Sequence, residues 1–271
     1  MIVRVRAPAS TANLGPGFDC AAVALDLWNE LEVSEEPGVA DLDHLGVRAF
    51  SLIASPESWS FSFTDRIPRE RGLGSSASVI ALGLVAACIV TGRTPEPEEL
   101  LAMGVALEGH ADNLAAALTG GVCLTWDGKL ERLADRPPAV PVALVPNGTV
   151  STAISRAALP EHVLHADATF TAARAALLGA ALATGSAELF AEALDDRLHE
   201  PHRAANAPLL AEVRGDLPPG ALGATISGSG PTVVVWARDD AVDACVAALA
   251  GRYPDVNVLS LPASPKGAHR L

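Results

Sequence analysis

The apolar positions of the chain follow two rhythms. Residues 2–6 alternate apolar and basic, and Trp59-Ser60-Phe61-Ser62-Phe63-Thr64 alternates without a break, the period of a half-buried strand. Residues 21–33, 122–126, 140–145, 222–227, 232–237 and 256–260 predict further strands. The helical rhythm covers 97–118, with Leu100, Leu101, Val105 and Leu107 on one face. Alanine-rich stretches over 166–183, 186–196 and 202–214, the segment 240–251 and a short piece within 41–55 predict further helices. Val79–Val90 is apolar on all sides, which predicts a buried helix; it is too short to span a bilayer.

Pro8–Phe18 is rich in Gly, Pro, Ser and Asn and reads as a loop between two strands. Glu35-Glu36 and Pro37-Gly38 close the second strand, Asp127-Gly128 predicts a tight turn, and Arg136-Pro137-Pro138 is a linker. Strands and helices mixed in this way imply an α+β protein of two lobes, divided as 1–130 and 137–271.

With 271 residues, of which 49% are hydrophobic and 19% charged, the chain can bury a full core. A net charge of −13 argues against a nucleic-acid partner, whose phosphates need a basic surface. It does not exclude a small anion, which reads the local field of its pocket. Cys20, Cys88, Cys123 and Cys245 form no C-x-x-C pair, so free thiols and a cytoplasmic compartment are expected. The N-terminus lacks the continuous apolar stretch of a signal peptide, and no membrane partner is expected.

The chemistry concentrates in Arg71-Gly72-Leu73-Gly74-Ser75-Ser76-Ala77-Ser78, a glycine-rich turn that opens the apolar helix. Glycines let backbone approach a bulky anion, the helix start offers free N–H groups, and the hydroxyls can ligate magnesium held by phosphates. It is not a Walker loop, because it has no lysine; the chain holds only Lys129 and Lys266. Phosphate charge would therefore be met by amides, a metal ion and arginines.

Three further clusters accompany it. In Pro8–Asp19, Asn13 offers donor and acceptor, and Asp19 a charge suited to an ammonium group. In Glu108-Gly109-His110-Ala111-Asp112-Asn113, Glu108 could ligate magnesium, Asp112 take a proton, and His110 and Asn113 hold substrate. Ser227-Gly228-Ser229-Gly230-Pro231 presents successive N–H groups as a nest. Taken singly, the four would also serve as a capped helix, an Asx turn, a helix junction and a hairpin. Arg156 and Arg203 could each clamp a carboxylate. His44, His162, His165, His199, His202 and His269 show no metal-ligand spacing.

In this order the motifs closely resemble the GHMP superfamily of small-molecule kinases. The phosphate loop reads Pro68-Arg69-Glu70-Arg71-Gly72-Leu73-Gly74-Ser75-Ser76-Ala77, and the glycine-rich turn at 227–231 is the third motif. Within the superfamily, P-A-S-T-A-N-L-G-P-G-F-D-C at 8–20, E-G-H-A-D-N at 108–113, Ser151, Thr152 with Arg156, and H-E-P-H-R ending at Arg203 resemble the homoserine kinase branch. The resemblance implies a ribosomal protein S5 domain 2-like N-terminal lobe, a ferredoxin-like C-terminal lobe and a cleft between them. It implies ATP and Mg2+ as cofactors and L-homoserine as the phosphoryl acceptor, on the route to threonine.

It also implies a homoserine site of Asn13, Asp19, His110, Asn113, Thr152, Arg156, Arg203 and Gly228, with Asp19 on the α-ammonium and the arginines on the α-carboxylate. It implies an ATP loop over 68–78, including Ser78, and Ser75, Ser76 and Glu108 around the metal. Asp112 falls where mevalonate-kinase relatives place a base, but transfer without a dedicated base is the expectation. Ala111 and Ala116 stand where many members have Pro, and His44 stands where an Asn near the adenine is usual, in a stretch (36–60) short for the family. Relatives are often homodimers, an expectation carried by the resemblance alone. Two alternatives share the motifs: a GHMP kinase for another small alcohol, and a catalytically silent homoserine sensor. The first has no need of Asp19 opposite two arginines, and the second no need of metal ligands.

Overall fold

The computed structural model of the chain describes residues 1–36, 38 and 41–271, so Pro37 of the turn read at 37–38 lies outside the described residues. The first sheet has six strands: β1 (Ile2–Asn13), β2 (Gly17–Ser34), β3 (Ser60–Thr64), β4 (Val122–Trp126), β5 (Lys129–Ala134) and β10 (His269–Arg270). Their order is β10-β1-β2-β4-β5, with β3 also paired to β2, and all pairings are antiparallel. The second sheet contains β6 (Val140–Val145), β7 (Ala221–Ile226), β8 (Val233–Ala237) and β9 (Asn257–Ser260), in the antiparallel order β7-β8-β6-β9. The helices are α1 (Leu45–Ser51), α2 (Ser75–Val90), α3 (Pro97–Glu108), α4 (Asp112–Thr119), α5 (Thr152–Ala157), α6 (His165–Thr184), α7 (Ala187–Ala193), α8 (Glu200–Arg203), α9 (Leu209–Gly215) and α10 (Val242–Arg252). The β6-helix-β7-β8-α10-β9 sequence and its strand order are those of a ferredoxin-like lobe. Among the described residues no helix is long and apolar enough to cross a membrane.

Both faces of the first sheet are covered. On one, Val3, Val5, Leu31 and Val33 pack with Ile80, Leu84, Leu101 and Leu114 of the helices. The apolar α2 is enclosed from Ala77 to Cys88, as its all-round hydrophobicity requires. On the other face, Ala9, Val23 and Leu25 join Leu178, Phe190, Trp236 and Leu73, so one core welds the two lobes together. A third core, with Val142, Ile226, Val235 and Leu249, lies within the second lobe. The four cysteines are free thiols.

The structure corrects several readings of the sequence. Pro8–Asn13 is not loop but the second half of β1, and only Leu14–Pro16 turns. Its small Ala, Ser and Thr side chains are buried between helices and the second lobe. The register shift between Pro8 and Ala9 accommodates the missing proline donor. The single helix expected over 97–118 is two, broken at Gly109, whose φ of 84° leaves the helical region. Residues 129–134 form β5 of the first sheet, and β10 returns to pair with β1, so the chain ends in the lobe where it began.

Candidate active site

The loops at one end of both sheets enclose a cavity of about 260 Å³. Asn13, Asp19, Pro68, Glu70, Arg71, Gly72, Leu73, Gly74, Ser75, Ser76, Glu108, His110, Asp112, Asn113, Thr152, Arg156, Arg203 and Gly228 line it, joined by Val150, Ser151 and Ser229. Arg69, Ala77 and Ser78 of the proposed ATP loop do not. Arg69 points outward and pairs with Asp65. Ala77 is core, and the buried Ser78 hydroxyl donates to the Ala7 carbonyl at 3.0 Å, because both lie one turn into the buried face of α2. His44 is also off the cleft: its Nδ1 accepts from Gly46 N at 3.2 Å, capping α1, and its ring lies 4.0 Å from that of Phe63.

One end of the cleft is a backbone cradle. Gly72 and Gly74 have φ of 77° and 65°. A Cβ on Gly72 would strike the Ser227 carbonyl, and one on Gly74 would strike the Ser10 hydroxyl and come within 3.1 Å of Asn113 Oδ1. The turn is thus glycine because the two motifs touch. Ser227 Oγ donates to Gly72 O at 2.6 Å, Ser10 N to Leu73 O at 3.1 Å, and Gly228 N to Ala12 O at 3.2 Å. The cradle ends at Ser75 and Ser76, the first turn of α2, whose N-terminal amides face the cleft.

The other end is a charge cluster. Arg156 Nη2 meets Asp19 Oδ1 at 2.6 Å, and Arg156 Nε donates to His110 Nε2 at 2.5 Å. Burial, reinforced by Arg156, pulls the His110 pKa down, so the imidazole stays neutral and accepts. Asn13 bridges the motifs: its Nδ2 donates to Gly228 O at 3.0 Å and its Oδ1 accepts from Asp19 N at 3.0 Å. Asn13, Asp19 and Glu70 hold positive φ (75°, 57° and 54°) without being glycine, a strained backbone of the kind found at binding sites. Arg203, almost wholly buried, donates from Nη1 to Gly228 O at 3.1 Å.

Glu108 and Asp112 lie between the two ends. Burial raises Glu108 to about 7 and Asp112 to about 6. For Glu108 the neighbouring Ser76 hydroxyl opposes the rise and the Asp112 charge adds to it. Asp112 Oδ1 accepts from Asn113 N at 2.7 Å, which favours its charged form.

Five buried side-chain polar atoms among the described residues have no partner, and three belong to charged residues of this cleft: Arg71 Nη1, Glu108 Oε2 and Arg203 Nε. Such atoms are costly unless a ligand completes them. The cleft therefore asks for an anion near Arg71, a cation near Glu108 and an acceptor near Arg203. No group of three His, Cys, Asp or Glu residues able to hold a metal alone is present among the described residues. A cation at Glu108 would need serine hydroxyls and ligand oxygens to complete its shell. Sequence reasoning passed over Phe18 and His199, which stand behind the arginines. Phe18 lies within the 8–20 motif and His199 within 199–203, but nothing in their spacing marks them.

The chain matches the family model of the GHMP kinases N terminal domain over residues 42–121 and that of the GHMP kinases C terminal over 178–255. It is 39% identical to the homoserine kinase of Gloeobacter violaceus, over 97% of each chain. It is 40% identical to that of Streptomyces coelicolor, over 96% of this chain and 92% of the relative. The structure superposes on that of homoserine kinase from Cytophaga hutchinsonii with a TM-score of 0.87 at 24% identity, covering 100% of this chain and 97% of that one, a likeness of fold.

Proposed function

The chain belongs to the homoserine kinase family of the GHMP kinases, and from that premise we propose that its cleft passes the terminal phosphoryl group of ATP to the side-chain hydroxyl of L-homoserine. The reaction of the family is this ATP-dependent phosphorylation, a step of threonine biosynthesis. The observation that carries the residue-level reading is the trio of orphaned charged atoms along the cleft, Arg71 Nη1, Glu108 Oε2 and Arg203 Nε. They match a triphosphate, its cation and an amino-acid carboxylate.

Homoserine is a zwitterion, and the Asp19–Arg156 pair is a template for it. Its ammonium group takes the place of Arg156 against Asp19, and its carboxylate lies between Arg156 and Arg203. The turn at 72–76 and Arg71 hold the phosphates through amides and one guanidinium. Glu108 Oε2, with the hydroxyl of Ser75 or Ser76, would hold a magnesium ion, which supplies charge neutralisation at the phosphates when bound. Asp112 and Asn113 place the acceptor hydroxyl. Phosphoryl transfer by a loose transition state needs alignment and charge more than a strong base. Asp112 Oδ1 accepts from Asn113 N, and on this reading the acceptor proton passes to an oxygen of the transferred phosphoryl group without a dedicated base.

On the same reading residues 1–130 hold the nucleotide and 137–271 complete the acceptor end. The enzyme works in the cytoplasm, whose reducing milieu suits four free thiols, without nucleic acid or membrane, and as the homodimer common among relatives. A coupled ADP-release assay across homoserine, mevalonate, shikimate and galactose tests the substrate: turnover is expected with homoserine alone. Comparable turnover with an alcohol that is not an amino acid would overturn the assignment. Homoserine binding without ADP would make the protein a sensor.

A further inference from the structure

Phe18 and His199 do not line the cavity, yet both arginines of its acceptor end rest against the Phe18 ring. The Phe18 and His199 rings stack, with centroids 4.9 Å apart and planes at 21°. The guanidinium carbons of Arg203 and Arg156 lie 5.0 and 5.8 Å from the centroid of the same Phe18 ring. Two like charges thus share one aromatic ring. Each raises the cost of the other, and the repulsion by Arg156 is among the causes that lower the Arg203 pKa, after burial. An aromatic face attracts a guanidinium, so the ring offsets part of that repulsion, beside the Asp19 pair that holds Arg156 and the Gly228 carbonyl that holds Arg203.

His199 fixes the ring and one arginine together. It is fully buried, and its backbone N donates to Asp196 Oδ2 at 2.7 Å. Burial, the largest cause, lowers its pKa to about 4, so it is neutral at physiological pH, and its 3.6 Å approach to Asp196 is no ion pair. Nε2 lies 2.8 Å from the Gly15 carbonyl and must donate to it, which leaves Nδ1 as the acceptor that faces Arg203 Nη1 at 3.4 Å. One imidazole therefore ties down the turn that delivers Phe18 and Asp19, and with its other nitrogen orients Arg203.

We infer that Phe18 and His199 are positioning residues that set the spacing between the anion Asp19 and the two guanidiniums, and so select acceptors carrying both an ammonium and a carboxylate group. The inference rests on the proposed reading that the arginines bind the acceptor's carboxylate.

The test compares kcat/KM for homoserine with that for 3-aminopropan-1-ol, the same amino alcohol without the carboxylate. Phe18→Leu and His199→Leu should each lower homoserine kcat/KM about 10-fold or more, mainly through KM. The ATP KM and the kcat/KM for 3-aminopropan-1-ol, expected to be low and read at high acceptor concentration, should stay within about 2-fold, so that the preference between acceptors collapses. Phe18→Tyr, which keeps the ring, should restore the preference. If the leucine variants depress both acceptors alike, or neither, the inference is wrong; should His199→Leu not fold, Phe18→Leu and Phe18→Tyr decide alone. Arg203→Lys separates this failure from that of the parent reading. If that change leaves the preference between acceptors intact, Arg203 does not hold the carboxylate and the parent reading of the acceptor site is at fault.

Discussion

Glu108 should make the ligand-free enzyme less stable than it could be. Its Oε2 is enclosed without a partner, and burial raises the carboxyl from its ordinary 4.5 to about 7. The proton linkage follows from that direction. Below about pH 4.5 Glu108 is protonated in folded and unfolded chains alike and costs nothing. Between 4.5 and 7 the unfolded chain ionises first, so stability falls as pH rises, and above 7 the full cost is present. At about 1.4 kcal/mol per unit, the shift corresponds to roughly 3 kcal/mol as an upper bound. Glu108→Gln removes the charge but leaves an amide in the same enclosed place, a penalty of about 1–2 kcal/mol. The net gain at pH 8 should be roughly 1–2 kcal/mol, or about 3–7 °C in Tm for a chain of this size. Calorimetric melts of both proteins at pH 5 and 8, with chelator present, measure it. The variant should melt higher at pH 8, the advantage should shrink toward pH 5, and turnover should fall by about 10² or more as an electrostatic contributor is lost. Equal or lower stability of the variant at pH 8, or a difference independent of pH, would refute the reasoning that this oxygen awaits a cation.

Three other changes probe the cleft. Gly74→Ala puts a methyl group against the Ser10 hydroxyl at a φ of 65°; with about 1–2 kcal/mol of backbone strain before any clash, a lower Tm and a raised ATP KM are expected in melts and initial-rate kinetics. Arg203→Lys replaces a fork by a point charge and should raise the homoserine KM about 10–100-fold with little change for ATP, since a hydrogen bond to a charged group is worth about 1.5–3 kcal/mol. Asp112→Asn should cost less than about 10-fold in kcat and leave the acidic limb of the pH–rate profile in place; a loss of 10²–10⁴, the usual range for a general base, would assign the proton to Asp112.

Much of this was legible in the sequence, for identifiable reasons. The alternation of Trp59–Thr64 and the unbroken hydrophobicity of α2 gave strand and helix because each period has one structural solution. The cleft residues at 13–19, 68–76 and 108–113 were legible because glycine, amide and acid side chains are poor material for a core. The same logic misled at Pro8–Asn13, where small polar residues marked not a loop but a strand buried on both faces. It misled again at Ser78, where a hydroxyl one turn beyond the loop satisfies a carbonyl inside the lobe. β10 was invisible because the chain's return to β1 is a long-range pairing that no local pattern encodes.

The two ends of the cleft are balanced differently, and this decides what each can tell of its ligand. At the acceptor end Asp19 holds Arg156, and Arg156 holds His110, while among the described residues Arg203 is left with Nε unpartnered and no anion of its own. A ligand there must offer both signs to repay what it disrupts, which favours a zwitterion over an alcohol or a simple anion. At the phosphate end Arg71 spends one nitrogen on the Asn147 carbonyl at 2.7 Å and leaves the other enclosed and free. Of the three arginines on the cleft wall it alone stands beside the glycine turn, while neither lysine of the chain lines the cavity. A single uncommitted cation cannot neutralise a triphosphate, so most of that charge falls to amides and to whatever cation Glu108 accepts. The orphaned Glu108 oxygen and the absence of a lysine are thus two consequences of one requirement.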